Sequence, residues 1–381
     1  MNRWAVLALL FGARTVMAMQ FQLVGTLSPT LETVFSISTV QIGFAIGLYF
    51  APGLVFAIPG GAIARRYGEG RIASLGLWLM VLGGVVMALA GTWPVFLAGQ
   101  VVAGTGGIIV NVLMTKMVAD LFRDGDLALA LSVFLNSWPM GIALSLVMLP
   151  TVSGLLGLSF AVALIALLAA IFAVILPLTY QSRNTSISSS FQRLNRRDLS
   201  FALSTGVVWG CFNAGVGIVF SFGTALLTDT GLSPEAAARQ TSLVLWALAL
   251  VAPFGGFLSD RFNRPERLIA IGLSGLAVLI LLAGLLNGHW LVLVLIGCFA
   301  ALVAGPAMSL PARSLSEEGK AVGMGVFFTL YYLAFLAAPP LAAWVAEAQN
   351  TLQAAFWVGA AIECIALIGL AFYLRQTREN G

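Results

Sequence analysis

The chain has 381 residues, 60% of them hydrophobic and 9% charged, with a mean hydropathy of +1.00 and a formal net charge of +4. A soluble domain carries about 25% charged residues, and no water-soluble fold of this length hides so much apolar surface, so a polytopic membrane protein is expected. The basic balance does not form a nucleic-acid-binding patch; its lysines and arginines are spread along the chain as a topology signal.

A spanning helix needs about 20 mostly apolar residues. In chain order, twelve stretches qualify: 4–27, 40–64, 72–91, 94–118, 128–150, 155–177, 199–226, 237–259, 267–286, 290–311, 320–345 and 351–374. The first follows Arg3 as the apolar run of a signal peptide does, but no Ala-x-Ala-like site follows it and Arg14 interrupts the run, so it is read as a span. With twelve spans, Arg3, Arg65, Arg66, Arg71, Lys116, Arg123, Arg183, Arg193, Arg196, Arg197, Arg261, Arg264, Arg267, Arg313, Lys320, Arg375 and Arg378 all fall on one side. The opposite loops hold Glu32, Asp229, Glu235, His289 and Glu347, with Arg239 as their only basic residue. Both termini are therefore expected in the cytoplasm.

The longest hydrophilic stretch, TYQSRNTSISSSFQRLNRRD at 179–198, falls at the midpoint and has a linker's composition. It divides the chain into an N-terminal six-helix bundle (1–178), a cytoplasmic linker (179–198) and a C-terminal six-helix bundle (199–381). Two short loops support a duplication. GGAIARRYGEGR, from Gly60, follows the second span, and GGFLSDRFNRPER, from Gly255, follows the eighth, about half a chain length later. Duplicated halves are a known way to build an alternating-access carrier, with the solute site at the interface between repeats.

At these residues the sequence resembles the major facilitator superfamily, whose signature between the second and third helices is roughly G-x-L-A-D-R-x-G-R-R. Gly256, Leu258, Asp260, Arg261 and Arg264 match it in the second half; Gly61, Ile63, Ala64, Arg66 and Gly68 match it in the first, where Arg65 replaces the usual aspartate. The resemblance spans the whole chain. It implies an all-α fold of twelve transmembrane helices in two pseudo-symmetric six-helix bundles, and a secondary transporter. It also implies gating roles for Asp260 and Arg261, and for Asp120 paired with Arg66. The runs NVLMTKMVADLF and NSWPMGIAL look most similar to bacterial cyanate and nitrate/nitrite permease-type members, which implies a small anionic solute. A helix-four signature, R-x-x-x-G-x-G, reads QVVAGTGG here, with Gln100 in place of the arginine; this argues against a drug/proton antiporter.

Within the spans, polar residues are the candidate contacts. Arg14 lies about 15 Å into the first helix at about 1.5 Å per residue, too deep to reach the headgroups easily. Its guanidinium either binds an anion or locks helices together through an ion pair or a carbonyl cluster. Taking about 100° per residue, Gln22 lies about 80° from Arg14 and Gln20 about 120° from its stripe, so Gln22 is the better candidate. Asn111, Asn136, Trp138 and Asn213 are candidate solute contacts, as are Trp246 and Tyr331. Pro139 is expected to kink its helix and free a backbone carbonyl. Lys116 is expected to snorkel to the cytoplasmic side near Asp120. Glu363 is read as a paired buried acid, which its place in a peripheral helix favours, or as a protonatable coupling group, and His289 as interfacial. Cys211, Cys298 and Cys364 read as buried small hydrophobes.

No G-x-S-x-G, H-E-x-x-H, Walker loop or Cys/His cluster appears, so neither an enzyme nor a cofactor is expected, and energy must come from gradients. The expected partners are a small anionic solute, the bilayer of a bacterial inner membrane, and a coupling proton or exchanged anion; the expected state is a monomer that binds no nucleic acid. An exporter of amphipathic compounds, suggested by the many Phe and Met residues, is the alternative.

Overall fold

The computed structural model describes residues 2–56, 68–122, 126–180, 194–262, 264–316 and 319–380. Among them are fifteen helices and no strand: α1 (Arg3–Thr26), α2 (Ser28–Phe35), α3 (Thr39–Leu48), α4 (Ala51–Phe56), α5 (Glu69–Ala88), α6 (Trp93–Leu121), α7 (Leu127–Leu135), α8 (Ser137–Leu156), α9 (Leu158–Thr179), α10 (Arg196–Asp229), α11 (Pro234–Phe262), α12 (Pro265–Leu285), α13 (Trp290–Ser314), α14 (Lys320–Ala348) and α15 (Gln353–Asn380). Helices suit a bilayer because each satisfies its own backbone hydrogen bonds there.

Among the described residues, eleven helical stretches are long and apolar enough to cross a membrane. Ser28–Phe35 and Thr39–Val55, bent by 116° at the break between them, bring the number to twelve if they are taken as one span. The expected count of twelve agrees with the upper figure. The second expected span (40–64) begins as α3 and α4 and runs on beyond the described residues, as does most of the expected linker. The fifth spans Leu129–Leu156 but is broken at Asn136, where α7 ends and α8 begins.

Side chains define the helix ends. The Asn2 side chain accepts from the Trp4 amide at 3.1 Å and starts α1, and Asn195 accepts from the Asp198 amide at 2.6 Å and starts α10. Gly157, with φ +89°, makes the sharp turn between α8 and α9 that a residue with a Cβ resists.

Two compact units emerge. Unit 1 comprises residues 1–37 and 48–187. Within it α1 packs on α8 and α9, and α5 packs on α6 and α9. Small residues bring the α5 and α6 backbones close: a Cβ at Gly106 would collide with the Gly76 carbonyl, and one at Gly83 with Ala103.

Unit 2 comprises residues 38–47 and 188–381. Here α10 packs on α14 and α15, and α12 packs on α13 and α15. The pairings of α1 with α8 and α9 thus recur as α10 with α14 and α15, so the duplication read from the two loops has a counterpart in the packing. Gly255, from the second of those loops, seats against the Ala301 carbonyl. Most of α3 belongs to this unit although its sequence precedes α4. Gly43 lies against Pro339 and Gly47 against Leu336, and the Val40 amide donates to Glu347 Oε1 at 2.8 Å.

Candidate transport site

The break at Asn136 organises the polar centre of unit 1. In a continuous helix the Leu135 carbonyl would accept from the amide four residues on, but that residue is Pro139, which has no N–H. Arg14, on the facing helix α1, supplies the missing donors. Its Nη1 donates to the carbonyls of Phe134 and Leu135, each at 3.2 Å, and to Ser137 Oγ at 3.1 Å. Ser137 Oγ in turn donates to the Phe134 carbonyl at 2.5 Å. Arg14 Nε donates to Asn111 Oδ1 on α6 at 3.1 Å. The guanidinium also lies 4.9 Å from the Phe134 ring centroid and 5.8 Å from that of Trp138, within cation–π range. Only 8% of Arg14 is exposed.

The carbonyl cluster anticipated for Arg14 is therefore present, and these hydrogen bonds fix the guanidinium in place. Of the expected contacts, the structure joins Arg14 to Asn111 and Trp138, with Asn136 at the helix break between Leu135 and Ser137. Gln22 is buried about 12 Å further along α1. Gln20 faces elsewhere, donating to the Met80 carbonyl at 2.9 Å, and so acts as a tie between α1 and α5.

Beside this polar centre lies an aromatic set that the sequence reading missed. Phe21 stacks on Trp138 with centroids 5.3 Å apart, and Tyr49 and Phe50 flank it at 5.6 and 4.9 Å. The glycines of QVVAGTGG receive Tyr49. A Cβ at Gly104 would collide with its carbonyl, and one at Gly107 with its hydroxyl. The motif's small residues were the available signal, because close backbone approach requires them.

In unit 2, Asn213 donates back to the Trp209 carbonyl at 2.8 Å. Trp209 lies 6.4 Å from Tyr331 and 6.1 Å from Phe327, while Tyr331 meets Tyr332 and Phe335 edge-on at 5.2 Å each. Trp246, the remaining candidate, is half-buried on α11.

The gating candidates are placed unevenly. Arg65 and Arg66 lie outside the described residues, as does the Asp260 side chain, and Arg261 is exposed. Lys116 does approach Asp120, at 3.9 Å, but its closer partner is Glu69 at the start of α5, which the sequence reading overlooked. Tyr180 Oη donates to the other Glu69 oxygen at 3.4 Å. One expectation is corrected outright: Cys364 is exposed rather than buried, and Cys211 and Cys298 are only half-buried. An apolar lipid phase accommodates a thiol on the helix surface as readily as a protein core does. His289 caps α13, its Nδ1 accepting from the Leu291 amide at 3.4 Å. Among the described residues no group of three or more His, Cys, Asp or Glu side chains gathers to hold a metal.

Helices of membrane-spanning length, a repeated packing scheme and polar side chains buried within the spans define a polytopic helical membrane protein. The Major Facilitator Superfamily profile matches residues 10–228 and 211–381, and the chain belongs to that superfamily. It is 25% identical over 344 residues to the inner membrane transport protein YajR of Escherichia coli strain K12, covering 86% of this chain and 74% of that protein. It is 24% identical over 162 residues to an uncharacterised transporter of Buchnera aphidicola subsp. Schizaphis graminum strain Sg; this match covers 42% of the chain and only 41% of that relative's length. In fold it resembles the inward-open xylose transporter XylE of E. coli, with a TM-score of 0.78, 14% identity, and 98% and 96% of the two chains covered. Neither sequence relative bears the name of a cyanate or nitrate/nitrite permease, so the comparisons support the superfamily and not that subtype.

Proposed function

We propose that the protein is a secondary transporter that moves a small anionic solute across a bacterial inner membrane by alternating access. The observation that carries this reading is the Arg14 guanidinium, buried at membrane depth and positioned by hydrogen bonds to α6, α7 and α8. A cation fixed in this way attracts a carboxylate or another oxyanion more strongly than it would in water. Asn111, Asn136, Trp138 and Gln22 are the further solute contacts proposed in unit 1; Asn213, Trp246 and Tyr331 are those proposed in unit 2. Residues 1–178 and 199–381 act as the two moving bundles, joined by the 179–198 linker. Arg66 with Asp120, and Asp260 with Arg261, latch the cytoplasmic side. Both termini lie in the cytoplasm, an orientation that the segregation of basic residues supports, and the monomer is the working unit. A proton or a second anion balances the charge moved.

The stacked Phe21–Trp138 pair and its neighbours favour a second reading, export of amphipathic compounds with a planar apolar part. Exchange assays in proteoliposomes separate the two. With a panel of radiolabelled carboxylates and inorganic oxyanions, wild type exchanges at least one and Arg14→Ala exchanges none. Undiminished exchange by Arg14→Ala overturns the anion site. Saturable flux of amphipathic cations with none of any anion establishes the second reading instead.

A further inference from the structure

Glu363 lies near the middle of α15, about 15 Å along the axis from Gln353. It is fully buried, and neither carboxyl oxygen has a hydrogen-bond partner among the described residues. The carboxyl points at α10. There Gly215 leaves the space it occupies, since a Cβ at that position would overlap Oε1. One turn away on α15, Gly359 sits 3.5 Å (from a Cβ built on it) from the Gly215 carbonyl, so the two helices meet closely around the group. The matching helix pair in unit 1 is closed differently: the Phe172 ring on α9 fills the space left by Gly12 on α1. Packing alone is therefore met by an apolar ring, and it does not call for a carboxyl.

The groups facing Glu363 from the packed elements are few. On α10, Cys211 is within electrostatic reach, while Asp198 and Asp229 lie about 20 Å or more away along the axis from Gly215. On α12, Ile280 approaches Gly359, and Glu266 and Arg267 stand near the start of that helix, about 20 Å from Ile280. On α14, which leads into α15 through a tight turn, Tyr331 and Tyr332 lie about 10 Å beyond the level of Glu363 and Glu347 about 13 Å before it. No cation among these is close enough to hold a carboxylate. An ionised carboxylate without partners at this depth is far costlier than the neutral acid.

We propose that Glu363 is a proton-binding site, buried between α10 and α15, that is occupied at neutral pH and exchanges its proton with water, so that the proton is a second ligand of the carrier. Binding forms the carboxyl O–H bond, and release returns the proton to water and leaves the carboxylate. The role rests on the transport reading above, but its test does not require the solute to be known.

Infrared spectra of the full-length protein in lipid nanodiscs at neutral pH provide that test. Wild type shows the C=O band of a protonated carboxyl; Glu363→Gln lacks it while retaining its helical circular dichroism. Transfer to D2O shifts the wild-type band, because the proton exchanges. Gly215→Ala, which crowds Oε1, moves the band without removing it and provides the comparison if Glu363→Gln does not fold. A wild-type protein without the band, a band that survives in Glu363→Gln, or a band unmoved in D2O overturns the proposal. Loss of anion exchange in Arg14→Ala bears only on the solute site and leaves these spectra unchanged.

Discussion

Arg14 donates through Nη1 to the Leu135 carbonyl at 3.2 Å, the carbonyl that Pro139 leaves without an amide partner. A side chain on one helix thereby repairs a backbone defect in another, and the repair fixes the charge beside Asn111 and Trp138.

This pairing predicts a double-mutant result. Arg14→Ala strands the Leu135 carbonyl, while Phe134 keeps its bond from Ser137, and lowers stability by about 1–3 kcal/mol, the cost of an unsatisfied buried polar group. Pro139→Ala restores an amide that can reach Leu135. In the double variant, thermal unfolding in detergent shows a loss smaller than the sum of the two single losses by about 0.5 kcal/mol or more. Strictly additive losses contradict the repair. The same double variant separates scaffold from solute contact: it regains stability yet still fails to exchange anions.

A second prediction concerns Gly107, where an added Cβ meets the Tyr49 hydroxyl. Gly107→Ala overpacks the site and costs about 1–3 kcal/mol. Tyr49→Phe removes the obstructing oxygen and recovers part of that loss in the same melting assay. Gly104→Ala meets the Tyr49 backbone instead, so Tyr49→Phe leaves its cost unchanged.

These cases show how far the residues alone could be read. Apolar runs, basic loops and the twin GG turns carried the spans and the duplication, because bilayer thickness and topology leave a regular imprint on composition. Arg14, Asn111 and Trp138 were legible as polar or aromatic groups in apolar helices. Their meeting around the Phe134 and Leu135 carbonyls was not, because it depends on a break at Asn136 and on the rotation of three helices. Pro139 was the trace of it in sequence. Glu69 escaped notice because it opens a helix, where an acidic residue is ordinary; its burial beside Lys116 and Tyr180 is a tertiary fact. The placement of α3 with unit 2 was equally hidden, since chain order puts it in the first half.

That placement gives a third prediction. At Gly47 a Cβ would press on the Leu336 carbonyl, a backbone atom that cannot rotate away. Gly47→Ala therefore lowers the melting temperature, with a cost of about 1–3 kcal/mol. Gly91, where nothing lies within 4 Å of an added Cβ, is the control, and Gly91→Ala is neutral to within about 0.5 kcal/mol. Equal effects at the two positions contradict the packing of α3 on α14.

The Lys116–Glu69 pair predicts an asymmetry. The Lys116 side chain is 39% exposed and has Asp120 as a second partner, whereas that of Glu69 is 8% exposed. Removing the lysine leaves an acid short of compensation in a dry setting, while removing the acid leaves a lysine that still reaches water and Asp120. Lys116→Met should therefore destabilise by about 2–3 kcal/mol, somewhat less than the loss from breaking a fully buried pair because the lysine is half in solvent. Glu69→Gln should cost about 1 kcal/mol or less, since the amide still accepts from Tyr180. Combining the two removes the orphaned charge, so Lys116→Met in the Glu69→Gln background costs less than it does alone. Thermal unfolding of the four proteins checks the order, and an equal or reversed ranking of the single variants means that the buried carboxylate is not what the lysine holds in place.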